Sequence, residues 1–172
     1  MSAHDNAIAK TRPLVVLDIE TVPERPSDNQ VGFPKPCFCR IVAASLLEAK
    51  YQAHQEPSGF EIVGLGTVGA PGPSESQILR KLIRYIEQKK PRLVTFNGRG
   101  FDLPVIRYRA LKHGLEAPWL ARGLNRWDNY NHRYNTEWHL DLMDALSGFG
   151  ASKFCSLSEV CRLLRLPGKT WR

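Results

Sequence analysis

The chain has 172 residues, 42% of them hydrophobic, and 24 Lys and Arg against 17 Asp and Glu give it a net charge of +7. This is the size and composition of one soluble domain with a proper core, and the positive charge favours a polyanionic partner. No apolar run approaches a membrane span and MSAHDNAIAK lacks the apolar core of a secretory signal, so a cytoplasmic location is the default expectation.

Residues 1–12 read as a tail and 13–172 as a single α/β domain with a mixed sheet, without internal repeats or a second domain boundary. The first element is LVVLDIETVP, where Leu14, Val15, Val16, Leu17 and Ile19 predict a buried strand over about 14–19. Side chains two apart on a strand share a face, so Asp18 and Glu20 project together. A buried carboxylate is costly unless something pairs with it; a divalent cation is the common remedy, and hard oxygen ligands favour Mg²⁺ or Mn²⁺. The competing reading is an exposed edge strand whose acids face water.

A loop through Pro23, Pro26, Pro34 and Pro36 follows. RIVAASLLEA and FEIVGLG then read as two strands of a hairpin joined by KYQAHQEPSG, and residues 66–73 as a Gly/Pro loop. Ser74 and Gln77 form a capping-box signature for a helix whose apolar face is Ile78, Leu79, Leu82, Ile83 and Ile86; Arg80, Lys81 and Arg84 are its solvated side. A strand at 92–96 leads through Asn97 and Gly98 to a helix starting near Leu103 or Pro104 and ending near His113 and Gly114. Asp102 therefore stands at a strand-to-helix junction. The helix dipole alone favours an acid there, but Asn97 offers an amide and Gly98 and Gly100 allow a ligand close to the backbone.

The stretch APWLARGLNRWDNYNHRYNTEWH has no clean period and mixes Trp119, Trp127, Tyr130, Tyr134 and Trp138 with Arg122, Arg126 and Arg133. Rings that stack on bases and guanidinium groups that pair with phosphates make it a candidate for holding a single strand; aromatics covering the core are the alternative. The block HLDLMDALSGFG and a helix SLSEVCRLL close the chain. Cys37, Cys39, Cys155 and Cys161 lack zinc-knuckle spacing and read as reduced, structural thiols.

Three blocks in this order, LDIETVP, FNGRGFDLPVI, and HLDLMDALSGFG with SLSEVCRLL and LPGK, resemble the DEDD 3′-to-5′ exonucleases of the RNase H-like superfamily. Within it the chain is most similar to the predicted exonucleases related to the proofreading domain of family B DNA polymerases, over about Pro13 to Lys169. The resemblance implies a DnaQ-like fold, a mixed central sheet flanked by helices. It also implies hydrolysis at the 3′ end of single-stranded DNA, or RNA, by two Mg²⁺ or Mn²⁺ ions that Asp18, Glu20 and Asp102 hold. Thr21, Asn97, Gly98, Phe101, Arg126, Trp127, Tyr130 and Arg133 are the implied nucleic-acid contacts.

The family pattern also asks for a fourth carboxylate, with a Tyr four residues or a His five residues before it, on a helix after LPGK. No Tyr-x-x-x-Asp occurs before the chain ends at Arg172. His139 and Asp144 satisfy the His spacing, and Asp141 lies beside them, but their block precedes the expected last motif, so the match reads as coincidence. The expectation is a C-terminally truncated domain with weak or absent activity. Two readings stay open: a 3′-to-5′ exonuclease, or a catalytically impaired nucleic-acid-binding remnant of one.

Overall fold

In the computed structural model the described residues are 12–24, 34–52, 59–69, 71–121 and 127–168. Their strands form one five-stranded sheet in the order β3-β2-β1-β4-β5, with β1 at Leu14–Pro23, β2 at Cys39–Gln52, β3 at Gly59–Gly69, β4 at Arg92–Thr95 and β5 at His139–Asp141. β1, β2 and β3 run antiparallel as a meander, whereas β4 and β5 lie parallel to β1. The sheet is mixed, as expected.

β1 explains the layering. Val15, Leu17 and Ile19 are buried on one side of the sheet, while Val16 and Asp18 point to the other and are exposed. On the buried side lie helices α1 (Glu75–Lys89) and α2 (Asp102–Lys112). α1 begins as its sequence predicts: Ser74 caps it, its hydroxyl accepts from the Gln77 N–H, and the Gln77 side chain accepts from the Ser74 N–H. Its expected face, Ile78, Leu79, Leu82, Ile83 and Ile86, is wholly buried against the sheet and α2. Truncating Leu79 to Ala there costs about 2–5 kcal/mol.

An ion cluster ties these layers at one end. Arg109 of α2 is 1% exposed and holds Glu75 at 2.7 Å through Nε and Glu24 at 2.6 Å through Nη1; Glu75 also accepts from the Ile41 N–H at 2.7 Å. Burial pushes the Glu75 carboxyl up, but Arg109, His113 and that N–H together hold it below its usual value. Glu24, bonded to Arg109 and Lys112, is lowered to about 2.

On the opposite face an apolar row crosses all five strands in register: Leu65, Leu47, Val16, Val94 and Leu140. Asp18 follows Val16 on that face, and Glu20 follows Asp18.

Several boundaries differ from the sequence reading. β1 runs on to Pro23, with a register shift between Glu20 and Thr21. β3 extends to Gly69, so much of the expected loop at 66–73 is strand, paired to β2 up to Ala43. α2 starts at Asp102, earlier than Pro104 indicates, because the Leu103 N–H bonds back to the Gly98 carbonyl and closes the turn before it. The aperiodic stretch contains a short helix α3 (Pro118–Ala121), and HLDLMDALSGFG divides into β5 and helix α4 (Leu142–Leu146). The predicted last helix is present as α5 (Leu157–Leu163). No described helix is long and apolar enough to cross a membrane.

Candidate active site

β1 outruns β4. Their ladder ends at Val16 with Val94, so beyond it the β4 side of β1 offers backbone groups with no strand to pair. The chain leaving β4 turns through Asn97 to Phe101 and fills this gap: the Asp102 carboxylate accepts the Ile19 N–H at 3.2 Å. Ile19 lies between Asp18 and Glu20, so the turn brings Asp102 to the two acids of β1. The place is the carboxyl end of parallel strands beside the point where the strand order reverses, where open α/β sheets bind ligands.

Asp102 is 6% exposed, and burial, then the charge of Asp18, raises its carboxyl to about 7, with Asp141 adding to the rise. Asp18 is exposed and Glu20 half-buried, so the expectation of two acids inside a buried strand needs correcting. β1 is central, but these acids stand on the sheet face away from α1 and α2, and the costly carboxylate is Asp102.

The turn is tightly specified. Asn97 adopts φ +61, a left-handed conformation that Asn tolerates better than most residues. A Cβ on Gly98 would lie 2.4 Å from Thr95 Oγ1, so only glycine fits there. Asp141 grips the turn from β5, accepting the N–H groups of Asn97 and Arg99 at 2.9 Å each and that of Met143 at 3.1 Å. Arg99 completes the hold, donating to Asp144 at 3.1 Å and to the carbonyls of Tyr130 and His139 at 3.2 Å each. The other Asp144 oxygen takes Arg133 at 2.6 Å.

His139 is fully buried, with Nδ1 3.1 Å from the Tyr130 carbonyl and Nε2 2.8 Å from Thr95 Oγ1. Burial, then the nearby Arg99 charge, lowers its pKa to about 4, so the ring is neutral and donates from Nδ1. Both nitrogens are thus engaged in the core. The Arg99 clamp is absent from the sequence expectations; its one signal in the sequence is an arginine set between two glycines.

The aromatic stretch divides. Tyr130 was expected to contact nucleic acid, but it is 2% exposed and its hydroxyl bonds the Pro91 carbonyl at 2.8 Å. Its ring sits edge-on between Trp119 and Trp138, at 5.4 and 5.1 Å between centroids, closing the core. Trp127 and Tyr134 are exposed, at 54% and 65%. Arg133 is engaged with Asp144, while Arg122 and Arg126 lie outside the described residues. Thr21 is half-buried at the β1 register shift, and Phe101 stands at the N-cap position of α2 without a side-chain cap bond and packs against the core.

Among the described residues no group of three or more His, Cys, Asp or Glu stands in ready-made metal-ligand geometry. The chemistry of Asp18, Glu20 and Asp102 nevertheless suits a hard divalent cation: all their donors are carboxylate oxygens, and a cation offsets both the burial and the repulsion by Asp18 that raise Asp102 to about 7.

Two solved structures show the same fold. The family B DNA polymerase from the hyperthermophilic archaeon Pyrobaculum calidifontis superposes with a TM-score of 0.55 at 19% identity, over 89% of this chain and 18% of that one. The zinc-ion-bound form of the E. coli ExoI–ssDNA complex gives 0.52 at 13% identity, over 94% of this chain and 32% of that one. The chain thus spans less than a third of either chain, and at these identities the likeness concerns the fold, which is that of the RNase H-like exonucleases. No curated protein matches the chain. The family described as "Predicted 3′-5′ exonuclease related to the exonuclease domain of PolB" matches residues 31–171, a span that takes in Asp102 but begins after Asp18 and Glu20. By that match over most of its length, the chain belongs to this family of predicted 3′-5′ exonucleases related to the PolB exonuclease domain.

Proposed function

We propose that the chain is a metal-dependent exonuclease domain that removes nucleotides from the 3′ end of single-stranded nucleic acid, DNA in preference to RNA, with Asp18, Glu20 and Asp102 as its acids. One observation carries the reading: Asp102, from the turn after β4, is seated on the backbone of β1 between Asp18 and Glu20, buried and raised to about 7. A fold needs no buried acid facing a second acid, so the arrangement points to a cation.

Asp18, Glu20 and Asp102 would hold Mg²⁺ or Mn²⁺, which when bound supplies a lowered pKa for an attacking water and charge neutralisation at the leaving 3′ oxygen. The chain's own part is positional. The Ile19 N–H fixes one Asp102 oxygen, and Asp141 and Arg99 fix the turn that delivers it. Exposed Trp127 offers a ring for stacking a base. Single-stranded DNA as ligand is supported by the E. coli ExoI complexes, which hold it.

One observation favours a second reading, binding without efficient hydrolysis: Asp141 and Asp144, the acids of the third block, are both engaged in internal bonds and so do not complete the acid set. Calorimetric titration with Mn²⁺ tests the metal site shared by both readings. The native chain should bind, and Asp18→Ala and Asp102→Ala should each remove the binding; equal affinity in all three proteins overturns the site.

A further inference from the structure

We propose that the free edge of β3, with the groove between β3 and α1, takes an extended peptide of alternating aliphatic side chains and acidic flanks as a sixth strand of the sheet. β3 ends the strand order, and among the described residues nothing pairs with its outer backbone groups. Such an edge is normally blunted by Lys, Pro, brevity or a β-bulge. β3 has eleven residues, Glu61 as its one charge and no proline, and Phe60, Ile62, Val63 and Leu65 on it are exposed. The one blunting device it shows is a register shift against β2, at Glu48/Ala49, and beyond it Gly64–Gly69 stays paired with β2 without a break.

The side-chain complement lies on the helix side. Gly64 and Gly66 pair with Glu48 and Leu46, whose side of the sheet faces α1, and the missing side chains leave an open groove of about 410 Å³. Leu46, Val68, Leu82 and Tyr85 supply its apolar walls. Alternate residues of an added strand, about 7 Å apart, would drop into it while the main chain pairs with β3. Charge selects the flanks. Glu48, on one wall, is matched by the Tyr85 hydroxyl at 2.7 Å and Lys89 at 3.8 Å, whereas Lys81 at the groove makes no ion pair among the described residues. Glu61, outside the groove, is bonded only to the neutral Gln52 amide, but within the groove the charge left without an ion pair among the described residues is the positive Lys81, so an acidic residue of the peptide fits beside it.

A second copy fits less well. Its β3 would bring Gly64 and Gly66 to the helix side, and glycines cannot fill a groove that glycines created. Nucleic acid is disfavoured by the apolar walls, and the groove lies across the sheet from Asp18 and Glu20.

Fluorescence anisotropy with a labelled peptide Glu-Glu-Val-Thr-Val-Thr-Val-Glu-Glu tests this on the whole chain. Saturable binding is expected, with slowed amide exchange along β3. Gly66→Val should weaken it roughly tenfold or more by filling the groove. A Cβ on Gly66 meets nothing within 4 Å, so Gly66→Ala should keep the native melting temperature, and the melting temperature of Gly66→Val, measured beside it, separates loss of binding from loss of fold. Lys81→Glu should also weaken binding, and N-methylation of alternate peptide amides should abolish it. The proposal is overturned by absent binding, by affinity indifferent to Gly66→Val or to N-methylation, by a concentration-dependent dimer that Gly66→Val disrupts, or by displacement of the peptide by an oligonucleotide.

Discussion

Replacing Asp102 by Asn should stabilise the metal-free protein above neutral pH and remove its response to Mn²⁺. In the folded chain burial, then the charge of Asp18, raises this carboxyl from 3.8 to about 7. A raised acid contributes its full stability below its unfolded value, and that contribution is lost as pH rises toward the folded one, here between about 4 and about 7. At about 1.36 kcal/mol per pH unit, the ionised form costs up to ~4 kcal/mol at about pH 8. Asn keeps the shape and an oxygen for the Ile19 N–H but carries no charge. Allowing for its own buried amide, the gain should be about 2–4 kcal/mol near pH 8 and near zero at about pH 4. Urea unfolding in chelator across that range measures it. Mn²⁺ should reverse the order, stabilising the native chain by mass action and leaving the variant unmoved. A difference that does not change with pH, or a variant less stable near pH 8, would mean that ionised Asp102 carries no such cost in the fold.

Arg109→Ala leaves Glu75 buried without its arginine, with only His113 and the Ile41 N–H beside it, and should cost about 3–5 kcal/mol in chemical unfolding at neutral pH. Because Arg109 holds Glu75 and Glu24 below their usual 4.5, that loss should shrink as pH falls from 4.5 toward about 2. Tyr130→Ala should cost about 3–5 kcal/mol of stability, whereas exposed Trp127→Ala should leave the melting temperature in place and weaken single-strand binding by about 1–3 kcal/mol, read by anisotropy. His139, neutral in the core with its pKa lowered to about 4, contributes stability above 6.5 that is lost as pH falls through that window; His139→Gln should flatten this part of the unfolding profile.

What the sequence made legible was local. The period of two in LVVLDIE separates Val15, Leu17 and Ile19 from Asp18, and the Ser74 and Gln77 pair with the stripe from Ile78 to Ile86 is a pattern within one helix. What it did not carry depends on distant partners. Arg99 reaches Asp144 across 45 positions, and Asp141 reaches Asn97 across 44, so nothing near either end marks the contact. Tyr130 and Trp127 sit three apart in a segment without a period, where no local rule separates a core ring from a surface one. Arg109 breaks the apolar pattern of α2, and only Glu24 and Glu75, each from another element, explain its burial.

The most direct measurement incubates a 5′-labelled single-stranded oligonucleotide with the chain and Mn²⁺ and resolves the products by length. Slow stepwise shortening from the 3′ end is expected, stopped by chelator, abolished by Asp18→Ala and Asp102→Ala, and left in place by Asp144→Asn, which keeps an oxygen to accept Arg99. Shortening that survives Asp18→Ala, or loss of the 5′ label in place of a 3′ ladder, would contradict this expectation.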